Sequence, residues 1–191
     1  MQNKTYYYAV HKIAWAYILI AFDVNIGTVN ILPNWLAFIM IYNVLDTVAQ
    51  QEQSASLLKP LAAILTATSA VDWVLKLFGI SFDYYVYALL CTVLSMYFDF
   101  QLITNIYDIR CRLGCTTGKN LKKIRTAIAV NETIVFICLQ FRVFYNMIFA
   151  LAFINAAVVV WLAFALFSHS NELEKIQQSS TAAHTVNGKE I

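Results

Sequence analysis

From Val143 to Phe167 the chain runs 25 residues without a charged side chain. Its core, Ala156 to Phe167, has no polar side-chain atom beyond the Trp161 indole N–H. A helix rises about 1.5 Å per residue, so about 20 apolar residues cross the ~30 Å hydrocarbon core of a bilayer. A helix apolar on every face needs cover on every side, and lipid provides it. This stretch therefore selects a membrane fold, and composition agrees: 60% of the 191 residues are hydrophobic and 13% are charged, against about a quarter charged in soluble domains. A net charge of +2 is too small to suggest a nucleic acid partner. The partner implied is the lipid bilayer, with a second membrane protein as a further candidate.

Read for apolar runs, the chain predicts an all-α polytopic bundle of six spans, over about 6–26, 33–49, 59–78, 82–107, 124–141 and 143–167. Residues 1–167 form the transmembrane domain and 168–191 a polar cytoplasmic tail. Asn131, Glu132 and Gln140 interrupt the fifth run, so the alternative is five spans with that helix along the interface. Pro33 suits a first helical turn, where its missing N–H costs nothing, and Gly79 suits a helix C-terminus. With the N-terminus placed inside, eleven of the 13 Lys and Arg residues fall on inside segments. Lys76 and Arg142 are left outside. That asymmetry predicts both termini in the cytoplasm.

The stretch Phe22 to Trp35 is the most unusual. It sets Asp23, Asn25, Asn30 and Asn34 between two apolar helices. It reads either as a polar pocket at a helix break or as a hairpin capped by its own side chains. Asp23, Asn25, Ile26 and Gly27, followed by Ile31, Leu32, Pro33 and Trp35, resemble a group of uncharacterised small multi-span membrane proteins of Gram-positive bacteria. The resemblance covers about the first 45 residues. It implies a bacterial plasma membrane and no activity.

Further carboxylates fall within the apolar helices. Asp72 and Lys76, four apart on one helix face, form a candidate ion pair. Asp99, with Gln101 and Asn105 after it, lies deep enough to cost about 2.5–3.5 kcal/mol at a helix centre. Glu132 is similar, and Asp46 lies near a helix end. Asp23, Asn25, Asn30, Asp99 and Glu132 are the candidate intramembrane polar site. Asp23, Asp46, Asp99 and Glu132 either line an ion or proton path or sit as separate groups facing the bundle.

The basic loop carries Arg110, Arg112, Lys119, Lys122, Lys123 and Arg125, which suit anionic lipid headgroups at roughly 1 kcal/mol each; they also serve simply as the orientation signal. Cys111 and Cys115 in that loop have no histidine near them in sequence, and zinc sites commonly use closer cysteine spacing. They read as unligated thiols in a reducing compartment, so neither a metal nor a disulfide framework is expected. No HExxH, GxSxG or P-loop pattern occurs, which gives no catalytic residue and no cofactor. Function is read first as a non-enzymatic regulatory or partner subunit. The alternative is a small transporter or substrate-binding membrane subunit using the intramembrane carboxylates. A lipid-acting enzyme with carboxylates as acid and base comes last.

Overall fold

The computed structural model describes residues 2–22, 25–26, 29–30, 33–80, 85–141 and 148–187. It is helical apart from one short hairpin. The helices are α1 (Gln2–Ala21), α2 (Asn34–Ala49), α3 (Leu58–Leu77), α4 (Tyr85–Arg112), α5 (Leu121–Phe141) and α6 (Ile148–Asn187). A 3-10 turn, Gln53–Leu57, leads into α3. Strands β1 (Asn25–Ile26) and β2 (Val29–Asn30) pair antiparallel, with Asn25 opposite Asn30 and Ile26 opposite Val29.

Each helix packs against the next in sequence, and α6 closes back on α1. The result is a ring of six helices around a shared interior. Helical periodicity decides which side chains enter it. Along α2 the buried residues Ala37, Phe38, Ile41, Val44, Leu45 and Val48 recur at the spacing of a single helix face. On α3, Leu58, Ala62 and Leu65 point inward, while Ile64, Val71 and Val74 are exposed. The outer surface is equally apolar on the other long helices, with Leu90 and Val93 on α4 and Phe153 and Phe164 on α6. Exposed apolar area of this extent belongs against lipid.

Only three helices among the described residues are long and apolar enough to cross a membrane: Gln53–Leu77, Val86–Arg112 and Ala150–Ile176. This corrects the six-span reading and its five-span alternative. The reasons are local. α2 has 16 residues, about 24 Å of helix, which falls short of the hydrocarbon thickness. α1 opens on Gln2-Asn3-Lys4-Thr5 and carries His11 and Lys12 in its middle. α5 brings Lys122, Lys123 and Arg125 into its first turns and Asn131 and Glu132 to its centre. Apolar runs of similar length thus divide into helices long and apolar enough to cross a bilayer and helices that are not. The placement of both termini in the cytoplasm was argued from the six-span layout and loses that support with it.

α6 continues as helix through 168–187, the stretch assigned to the polar tail. Ser168 onward is anchored from within: His169 and Ser170 are fully buried and Leu173 nearly so.

Candidate functional site

The interior of the helix ring holds a cavity of about 490 Å³, a size that suits a small ligand. Its lining combines aromatic side chains (Tyr17, Phe38, Tyr87, Phe136) with three carboxylates, Asp72, Asp99 and Glu132. Among the described residues the lining includes no Lys, Arg or His.

Asp99 stands at the middle of α4, with 14 residues of the helix before it and 13 after. It is 8% exposed. Tyr17, fully inside the bundle on α1, donates its hydroxyl to Asp99 Oδ1 at 2.7 Å. A hydrogen bond to a charged group contributes about 1.5–3 kcal/mol, so it offsets much of the insertion cost of the carboxylate. Glu132 occupies the middle of α5. Its Oε2 is buried and has no hydrogen-bond partner among the described residues. Beside it, the Asn131 amide donates to Asn155 Oδ1 of α6 at 3.0 Å, which fixes the α5–α6 register next to the carboxylate. Asp72 pairs with Lys76 at 2.7 Å, and the pair is partly exposed at 36% and 48%. One side of the cavity is therefore balanced and the Asp99–Glu132 side is not.

The structure separates the other sequence candidates. Asp46 lies away from the cavity and pairs with Lys59 at 2.6 Å. Asp23 and Arg142 lie outside the described residues. Asn25 and Asn30 contribute described backbone to the hairpin, and their side chains lie outside the description. Tyr17, Asn34 and Asn155 belong to the cavity and were missed as site residues. Tyr17 did carry a signal, since it is the one hydroxyl in the apolar run Ile13–Phe22.

The basic loop is built differently from a row of lipid-facing cations. Arg110 is 5% exposed. Its guanidinium donates to the carbonyls of Cys115 at 2.8 Å and Thr116 at 3.3 Å, and to that of Thr117. Two glycines make this possible. Gly114 ends α4 at φ +68°, a conformation open to glycine at little cost. It lets the Cys115 N–H reach back to the Arg110 carbonyl at 3.3 Å. Gly118 has φ +75°, and a Cβ there would stand 3.2 Å from Arg110 Cδ. Arg112 pairs with Glu52, and Arg125 donates to Thr104 Oγ1 at 2.7 Å while lying over the Phe100 ring. Lys119, Lys122 and Lys123 are exposed.

Glu172 of α6 holds the same loop from the other side. Its Oε1 accepts from the Thr116 N–H and hydroxyl, both at 2.7 Å. Its Oε2 accepts from the Thr117 N–H at 2.8 Å and from the Thr117 hydroxyl. Burial pushes the Cys115 thiol above its ordinary range; the Glu172 carboxylate adds to that and Arg110 opposes it.

Fold and cavity together define a small, multi-pass, helical membrane protein embedded in the bilayer. Comparison with protein-family models, curated proteins and solved structures gives no match.

Proposed function

We propose that the Asp99–Glu132 cavity binds a small organic cation and that the chain is a membrane carrier for it. One observation carries this reading: two carboxylates from the centres of different helices line a single cavity, and the described lining has no basic side chain to balance them. A buried charge is costly unless paired. A cationic ligand supplies the pairing, and the Glu132 carboxylate, whose Oε2 has no hydrogen-bond partner among the described residues, offers it a negative charge. The rings of Tyr17, Phe38, Tyr87 and Phe136 add faces that attract a cation. A regulatory or partner subunit calls for a dry core with an apolar side groove, and the polar cavity favours the carrier instead. The stretch Asp23 to Gly27 with Ile31-Leu32-Pro33 supports a bacterial plasma membrane as its location.

The test is uptake of radiolabelled tetraethylammonium into liposomes containing the full-length protein. The expected result is saturable uptake that is lost in Glu132→Gln and Asp99→Asn proteins reconstituted to the same level. Uptake equal to that of empty liposomes, or unchanged in both variants, would refute the proposal.

A further inference from the structure

A second buried cluster lies apart from the cavity, where the loop after α4 meets α6. Cys115 Sγ, a His169 ring nitrogen and a Glu172 carboxylate oxygen all lie within 4.8 Å of one another. His169 is fully buried, and neither ring nitrogen has a hydrogen-bond partner among the described residues. Imidazole carries a lone pair that is a strong metal ligand when no proton occupies it. Tyr6 Oη, also buried and without a hydrogen-bond partner among the described residues, is close enough to Cys115 for the two groups to interact electrostatically.

We infer that Cys115, His169 and Glu172 form a binding site for a divalent metal ion of the Zn²⁺ class. A thiolate, an imidazole and a single carboxylate suit borderline ions and not Mg²⁺ or Ca²⁺, which need more oxygen ligands. His169 and Glu172 are three apart on α6, so they share one face. The backbone positions the third ligand: Arg110 and Gly114 turn Cys115 under that face. Metal bonds of about 2.0–2.3 Å in tetrahedral geometry set ligand atoms roughly 3.3–3.7 Å apart. The observed cluster closes to this by side-chain movements on the order of 1 Å. Glu172 exchanges one of its threonine contacts for the metal. The Cys115 thiol loses its proton to solvent as the sulfur–metal bond forms. The thiolate and carboxylate then balance the dication, and the Arg110 guanidinium stays engaged with the loop carbonyls. Three protein ligands leave a fourth position open, the arrangement of sites that hold water or a substrate on the metal.

The experiment uses full-length protein in detergent, stripped with chelator and titrated with Co²⁺ and then Zn²⁺. The expected result is one equivalent bound, with a sulfur-to-cobalt charge-transfer band in the near ultraviolet that Zn²⁺ abolishes. Cys111→Ser keeps the band. Cys115→Ser loses it, and His169→Gln weakens Co²⁺ binding by more than about 100-fold, the upper end for outer-sphere partners. The wild-type spectrum keeps the proposal open to refutation even where a variant fails to fold. Absence of the band in wild-type protein overturns the proposal. So does its persistence in Cys115→Ser, its loss in folded Cys111→Ser, or undiminished binding by His169→Gln.

Discussion

The Tyr17 hydroxyl donates to Asp99 Oδ1 at 2.7 Å across 82 positions of sequence. The bond ties the first helix to the centre of the fourth inside the bundle. It gives Asp99, 8% exposed, its one side-chain partner among the described residues. Replacing Tyr17 with Phe keeps the ring and removes the donor. The buried carboxylate then loses a charge-assisted bond, with an expected cost of about 1.5–3 kcal/mol. Thermal unfolding in detergent checks it. A double-mutant cycle with Asp99→Asn isolates the pair, because loss of the acid removes most of the penalty for loss of the phenol.

Glu132 separates binding from folding. Its Oε2 has no described partner, so Glu132→Gln removes charge without breaking a known bond. Expression, detergent monodispersity and unfolding temperature are expected to match the parent. Affinity for tetraethylammonium, read by calorimetry, is expected to fall at least about tenfold, a loss typical of removing one partner of a buried charge pair.

Glu172 anchors the loop of residues 113–120 through both carboxylate oxygens. Glu172→Ala frees two backbone N–H groups and two hydroxyls at once. A destabilisation of about 2–4 kcal/mol follows from losing hydrogen bonds to a charged acceptor. The loop should then open first, and the reading is tryptic cleavage after Lys119, fast in the variant and slow in the parent.

Cys111 and Cys115 are four residues apart in opposite environments. Cys111 is exposed and Cys115 is 5% exposed, with its thiol held protonated by burial. A brief maleimide pulse near neutral pH is expected to label Cys111 and spare Cys115. Peptide mass spectrometry gives the ratio, and equal labelling would show that the loop does not pack as described.

The Lys59–Asp46 pair is expected to matter little despite its 2.6 Å separation. Asp46 is 67% exposed and Lys59 34%. Asp46→Asn should shift stability by less than about 1 kcal/mol, seen as an unfolding midpoint close to that of the parent.

The sequence by itself determined that this is a helical membrane protein, since uncharged runs such as Val143–Phe167 have no stable home in water. It also marked Asp99 and Glu132 as costly residues and Asp72–Lys76 as a pair, because helical spacing is local information. Span number was not legible. α1, α2 and α5 read as spans by apolar content, and the helix bounds showed that α2 is short and that α1 and α5 carry cations within the helix. Tertiary structure alone decided that Asp99 and Glu132 share a cavity, that Tyr17 bonds one of them, and that Arg110 turns inward to hold a loop. It alone brought His169 and Glu172, on a stretch that reads as a polar tail, against Cys115. Periodicity reports which face of a helix is apolar. Which side chains from distant helices meet across the interior depends on how the helices close into a ring.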